Sequence, residues 1–184
     1  MQFETRNEMI KALDISGEIA EIGVYRGDFS IELLKLNGVH KLHMIDIWEN
    51  QVCSCGNVDG NYVVNYNGKD NYEYVLNRFK SYDRVEIHKM YSDTFFKQLK
   101  NKLDAVYIDG DHSYNGCKAD LESARNAVKE GGWIMGHDYL INAKCNHFYD
   151  FGVNRAVNEF CEKYQLKISA LGNDGCVSFA IKNV

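Results

Sequence analysis

The sequence has no excess of positive charge. Its 21 lysines and arginines are outnumbered by 26 aspartates and glutamates, for a net charge of −5, and no basic stripe runs along any segment. A protein that binds polyanions needs such a stripe to meet phosphates, so nucleic acid is not expected among the partners. No apolar run approaches the ~20 residues needed to cross a bilayer. The opening MQFETRNEMIKALD is amphipathic and charged, unlike a secretory leader, so no membrane partner is expected either. The six cysteines never form a C-x-x-C pair: Cys53 and Cys55 are only two apart, and positions 117, 145, 161 and 176 are scattered. That spacing excludes a zinc-ribbon framework. Reduced thiols in a cytoplasmic protein are the expectation. Proline is absent altogether, and Asn, Lys, Tyr and Ile are frequent, as in a chain translated from AT-rich DNA.

What is present is ordinary for a globular chain: 45% hydrophobic and 26% charged residues in 184 positions, a length that predicts one domain over 1–184. Strand and helix patterns alternate from start to end, which predicts an α/β fold with a parallel sheet and helices on both faces. A helix over about 5–14 precedes a strand at 18–23, a helix at about 28–37 and a strand at 41–46. Stretch 49–70, rich in Gly and Asn, reads as one long loop, and a loop of that length in a compact domain is functional or disordered; a mobile lid over the site is expected. Tyr72, Val75, Leu76 and Phe79 then share one helical face over 71–80. Strands at 84–88, 103–109 and 132–138 alternate with helices at about 93–101 and 115–129. A helix at about 152–164 leads into two strands, 167–171 and 176–182, joined by Gly-Asn-Asp-Gly as a hairpin. The expected architecture is a Rossmann-like, seven-stranded, mostly parallel sheet with a C-terminal antiparallel hairpin.

In such open sheets ligands bind beyond the carboxyl ends of the strands, where the strand order reverses. The first strand ends in Glu21-Ile22-Gly23-Val24-Tyr25-Arg26-Gly27-Asp28-Phe29-Ser30. Gly23 stands where the backbone comes close to a ligand, Gly27 allows tight entry into the next helix, and Ser30 can offer a hydroxyl. Asp46 closes the next strand, in the place from which a carboxylate accepts both hydroxyls of a ribose. A dinucleotide fingerprint, G-x-G-x-x-G, is missing because Tyr25 stands at its second glycine. Glu21 would repel phosphates and favour an ammonium group. A ligand with an amine, a carboxylate and a ribose therefore fits better than one with two phosphates, and S-adenosylmethionine is such a ligand.

These residues carry a family resemblance. The E-I-G-x-Y-x-G-x-x-S run resembles motif I of class I methyltransferases, in the variant of catechol O-methyltransferase-like enzymes. The runs DAVYIDGDHSYNGCKAD (104–120) and GGWIMGHDY (131–139) resemble a bacterial methyltransferase family with IDGDHSY and GHDY after its fourth and fifth strands, related to macrolide-sugar O-methyltransferases and cephalosporin hydroxylase-type proteins. The resemblance covers nearly the whole chain and explains 49–70 least. It implies that Gly23, with Glu21, Tyr25 and Gly27, holds the methionine moiety, with Ser30 near its carboxylate. It further implies that Asp46 takes the ribose, Ile47 and Trp48 flank the adenine, Ser92 touches the adenine ring and Asp109 sits beneath the sulfonium.

Asp109 and Asp138 end strands that should be neighbours about 4.8 Å apart, so one hard cation could bridge them. In catechol-type relatives the matching positions hold Mg²⁺, which lowers the pKa of the attacked hydroxyl. His137 beside Asp138 departs from that pattern and would admit Mn²⁺, Fe²⁺ or Zn²⁺. Asp109, His137 and Asp138 are thus the candidate metal ligands, which Asp111 and His112 could complete. The alternatives are that both aspartates cap helices, and that His112 is a general base or simply holds its loop. Asp109, His112 and Asp138 are the catalytic candidates. His147, Phe148, Tyr149 and Phe151 could wall the acceptor pocket, or pack as an ordinary loop. The expected function is O-methylation of a small-molecule or sugar hydroxyl; the partner is a small acceptor, and a homo-oligomer is compatible with the chain. Rival functions are a non-catalytic or hydroxylase-like member of the same fold, and an NAD-dependent oxidoreductase, against which Tyr25 speaks.

Overall fold

Runs such as Ile19–Ile22, Leu42–Ile45 and Ala105–Ile108 place nearly every side chain out of water, the pattern of strands covered on both faces. The computed structural model describes residues 1–57, 60–141 and 152–184, with backbone alone over 51–57, 60–66 and 140–141. In chain order its elements are β1 (Gln2–Phe3), α1 (Arg6–Ala12), β2 (Ser16–Ile22), α2 (Asp28–Leu34), β3 (Gly38–Asp46), β4 (Gln51–Asn57), β5 (Gly60–Tyr66), α3 (Gly68–Phe79), β6 (Val85–Lys89), α4 (Ser92–Gln98), β7 (Leu103–Ile108), α5 (Tyr114–Ala127), β8 (Val128–Ile141), α6 (Val153–Tyr164), β9 (Ile168–Asn173) and β10 (Cys176–Lys182).

The main sheet has the order β1-β9-β10-β8-β7-β2-β3-β6. Strands β6, β3, β2, β7 and β8 run parallel. β10 is antiparallel to both β8 and β9, forming the hairpin expected at the C-terminal end. The sheet has eight strands rather than the expected seven. The extra one, β1, is a two-residue edge paired with Leu171 and Gly172 of β9, too short to leave a periodic pattern.

Most of the described residues of 49–70 are not in a loop. Over 51–57 and 60–66 the backbone forms an antiparallel ribbon, registered from Gln51↔Tyr66 to Asn57↔Gly60. α3 starts at Gly68, three residues before the expected start, because the Asn67 side chain accepts from the Asp70 N–H and caps it. The Val and Tyr residues at 62–66 supply strand propensity, which the surrounding Gly and Asn hide.

Alternation along the strands splits the core in two. Ile19, Leu42, Met44, Ala105 and Tyr107 face the side that holds α1, α2 and α3, with Met9, Leu33 and Phe79. Ala20, Ile22, Ile45, Val106 and Ile108 face α4, α5 and α6, with Phe95, Leu121 and Val157. Burying one such side chain contributes about 1.5–3 kcal/mol. β2, between β3 and β7, is the strand from which the two halves of the sheet diverge.

Candidate active site at the carboxyl edge of the sheet

Backbone conformation marks this edge. Five residues just beyond, or at the carboxyl end of, β2, β3 and β8 adopt positive φ: Gly23 (86°), Tyr25 (53°), Gly27 (74°), Trp48 (40°) and Asp138 (56°). Three of them are not glycine, and such residues visit the left-handed region only when their surroundings hold them there. Gly23 has a steric reason as well, since a Cβ there would lie 2.0 Å from the carbonyl oxygen of Asp109. Gly27 is required by packing instead, because a Cβ would strike the Phe79 ring at 2.5 Å.

Asp46 organises the first half of the site. Its carboxylate accepts from the backbone N–H of Tyr25 at 2.9 Å and of Trp48 at 2.7 Å, which ties the end of β3 to the loop after β2. Burial raises its pKa, opposed by these backbone bonds. Ile47 is half-buried and Tyr25 is exposed.

Three side chains expected at the ligand have partners within the protein. The Trp48 indole does not stand open for an adenine: it is 1% exposed, packs on Tyr72 and donates Nε1–H to the Tyr25 carbonyl at 2.8 Å. Ser30 is fully buried and its hydroxyl donates to Glu21, not to a ligand. Burial pushes the Glu21 carboxyl up to about 8 despite that bond. Burial thus favours the neutral form of Glu21. A helix and a strand facing one core account for both residues: Ser30 on α2 and Glu21 on β2 meet below the loop that joins them. Ser92 begins α4 and donates to Asp120 of α5 at 2.5 Å.

The second half gathers residues just beyond β7 and in the last part of β8. Nε2 of His112 lies 3.3 Å from Oδ1 of Asp109 and 3.2 Å from Oδ2 of Asp138. Nδ1 of His137 lies 3.3 Å from Oδ1 of Asp138 and 3.7 Å from Oδ1 of Asp109. Burial alone would lower the His112 pKa, but its bond to Asp109 and the charges of Asp138, Asp109 and Asp111 hold it above its ordinary value. Burial would likewise raise Asp138, yet the bond and charge of His137, and the charge of His112, keep it below the usual range. One donor atom each from Asp109, His137 and Asp138 lies within 4.8 Å of the others.

Arg6 joins this cluster from α1, unforeseen in the sequence. Its guanidinium lies 3.7 Å from Oδ2 of Asp109 and 3.4 Å from Oδ2 of Asp174, and stacks 4.5 Å over the Phe29 ring. The only legible trace is Thr5-x-x-Glu8: Thr5 caps α1 by accepting from the Glu8 N–H, and Glu8 accepts from the Glu4 N–H just before the cap, which starts the helix that presents Arg6. Asp120, held by burial at about 6, was also missed, although it interrupts the apolar stripe Cys117–Leu121–Ala124. His147, Phe148, Tyr149 and Phe151 lie outside the described residues.

The comparisons with known proteins follow this layout. Residues 20–139 match the model of a family described as "Methyltransferase domain", a span that runs from β2 to the residue after Asp138. No curated protein matches the chain in sequence. Among solved structures, the N-methyltransferase NodS from Bradyrhizobium japonicum is similar at 13% identity and TM-score 0.63, covering 97% of this chain and 94% of that one. An O-methyltransferase from Bacillus cereus in complex with SAH is similar at 16% and 0.64, covering 96% and 78%. Spermidine synthase from Thermotoga maritima is similar at 16% and 0.62, covering 97% of this chain but 58% of that one. At such identities the likeness speaks for the fold, whereas the family match spans most of the chain and both halves of the site: the chain belongs to the methyltransferase-domain family.

Proposed function

We propose that the protein is an S-adenosylmethionine-dependent methyltransferase that methylates a hydroxyl of a small molecule or sugar, in the IDGDHSY/GHDY group of bacterial enzymes. The observation that carries this reading is the position of His112 between the Asp109 and Asp138 carboxylates, next to the loop organised by Asp46.

The residues fit such a cofactor. Asp46 is a fixed acceptor at the end of β3, suited to a ribose, and Gly23 leaves the adjoining backbone bare of side chain. When bound, S-adenosylmethionine supplies a methyl group on a sulfonium. The chain's own task is then to take a proton and to hold charge. An acceptor oxygen would take that methyl group, with the sulfur as the leaving group. The hydroxyl proton would pass to the His112 imidazole, whose Nε2 faces the Asp109 and Asp138 carboxylates. Two carboxylates stabilise the resulting imidazolium, which is the role of a general base with its orienting acids.

A second reading rests on the convergence of Asp109, His137 and Asp138. Carboxylate and imidazole donors suit a divalent ion such as Mg²⁺ or Mn²⁺, and these three residues would hold it. There it would supply Lewis-acid stabilisation of the ionised hydroxyl. An ion and a protonated His112 draw on the same two carboxylates, so the readings compete.

The decisive experiment is isothermal titration of the purified protein with S-adenosylmethionine and S-adenosylhomocysteine, with mass spectrometry for either molecule carried through purification. Saturable one-to-one binding is expected. Absence of any binding by the folded protein would overturn the proposal.

A further inference from the structure

On the face that packs against α4, and across β2 from the strands that carry Asp109 and Asp138, β3 and β6 bring three donors together. His43 pairs in register with Glu86, and Ile45 with His88, so His43 lies between Glu86 and His88 on one side of the sheet. Nδ1 of His43 is 2.9 Å from Nε2 of His88 and 3.3 Å from Oε2 of Glu86, and His88 Nε2 is 3.8 Å from the same oxygen. A tetrahedral ion with bonds of about 2.0–2.1 Å spaces its ligands by about 3.3 Å. The three observed separations bracket that value.

The surroundings prepare the two rings. The far nitrogen of His43, Nε2, donates to Oε1 of Glu18 at 2.6 Å, the arrangement by which a ligating imidazole is oriented and made more basic. The Phe95 ring packs against both imidazoles, with centroids 5.3 Å from His43 and 5.1 Å from His88. Lys41 bonds the other oxygen of Glu86, Oε1, at 2.9 Å, which leaves Oε2 turned toward the histidines. His43 is buried, and the cluster opens on a cavity of about 260 Å³ lined also by Gln98 and Leu99. That cavity has room for water or a small anion as a fourth ligand.

We propose that His43 Nδ1, His88 Nε2 and Glu86 Oε2 form a binding site for a divalent transition metal of the zinc class, separate from the Asp109–Asp138 centre. Two imidazoles with one carboxylate select such an ion over Mg²⁺ or Ca²⁺, which prefer all-oxygen cages. The ion would join the edge strand β6 to β3 through side chains as well as backbone.

The test is titration of the chelator-stripped full chain with Co²⁺, a coloured stand-in for Zn²⁺, in the wild type, His88→Ala and Asp138→Asn. The expected result is one equivalent with an intense tetrahedral absorption band, displaced by Zn²⁺, kept in Asp138→Asn and weakened about tenfold or more in His88→Ala. Circular dichroism checks that His88→Ala folds. Glu86→Ala, at a side chain about half exposed, provides a second variant expected to lose the same band. The proposal is overturned if the wild type binds no stoichiometric ion. It is equally overturned if the band disappears in Asp138→Asn while both β6 variants keep it.

Discussion

The imidazole of His112 and the carboxylate of Asp138 meet at 3.2 Å although one comes from the loop after β7 and the other from within β8. The register of β7 against β8, with Ile108 opposite Gly136, sets that loop beside Asp138. Asp138 is held there at a φ of 56°.

This pair sets the expected pH dependence. Activity should rise with pH as His112 loses its proton, through a pKa above the ordinary histidine value, because Asp109, Asp138 and Asp111 favour its charged form. Asp138→Asn removes one of those charges and should move the acid limb of the kcat/KM profile to lower pH. His112→Ala should reduce kcat by about 10²–10⁴-fold and spare cofactor affinity. An unchanged profile in Asp138→Asn would remove His112 from the role of base.

Chelation separates the two mechanisms. With His112 as the base, turnover should survive exhaustive EDTA treatment. Loss of turnover that Mg²⁺ or Mn²⁺ restores in the wild type but not in Asp138→Asn would transfer the role to an ion at Asp109, His137 and Asp138.

Asp46→Ala should weaken S-adenosylmethionine binding by about 1.5–3 kcal/mol through loss of charge-assisted bonds. It also releases the N–H groups of Tyr25 and Trp48, so some loss of thermal stability should accompany it. Calorimetric titration of a variant shown by circular dichroism to be folded checks the first effect. Wild-type affinity in that variant would exclude Asp46 from the ribose site.

Glu21 makes a stability prediction with a definite sign. Its folded pKa, about 8, is above the ordinary 4.5, so the native state binds the extra proton. The associated stability is complete below about pH 4.5 and is lost as pH rises toward 8. Glu21→Gln keeps a hydrogen-bonding group and abolishes the titration. It should be more stable than the wild type at pH 8, by about 2–5 kcal/mol, and show a flatter dependence between the two pH values. Urea melts across that range measure this, and parallel curves for the two proteins would refute it.

Two glycines with similar dihedrals should respond very differently to alanine. Gly131 has φ 78° with nothing within 4 Å of an added Cβ, so Gly131→Ala should cost about 1–2 kcal/mol in backbone strain alone. Gly23→Ala adds a 2.0 Å clash with the Asp109 carbonyl and should cost roughly 4 kcal/mol or more. Denaturant midpoints of the two variants compare them directly.

The sheet was legible because its strands are apolar on both faces and its helices repeat every three or four residues, and both signals are local. The pairing of Asp109 with Asp138 followed from the usual order of such strands. Other features depend on partners distant in sequence. β1 takes its place from β9, and Trp48 and Ser30 are drawn inward by Tyr72 and Glu21. The ribbon β4–β5 was hidden because Asn and Gly read as loop residues even when a partner strand is available. For Arg6 the sequence marks only the start of its helix at Thr5-x-x-Glu8, since its place beside Asp109 comes from the packing of α1. The His43–Glu86–His88 group is invisible in one dimension: two of its members are two residues apart and the third is 43 residues before the nearer one.

The bare Cα of Gly23 beneath the Asp109 carbonyl has one more consequence. The loop after β2 and the loop after β7 share a contact with no room to give, and the Asp109 N–H is bonded to the Ile22 carbonyl at 2.8 Å. A molecule that orders one loop thereby lowers the entropic cost of ordering the other. Two molecules held by these loops should each bind more tightly in the presence of the other, and by the same factor in both directions. Titrating each with and without its companion measures that factor, and a value of one would mean that the contact transmits nothing.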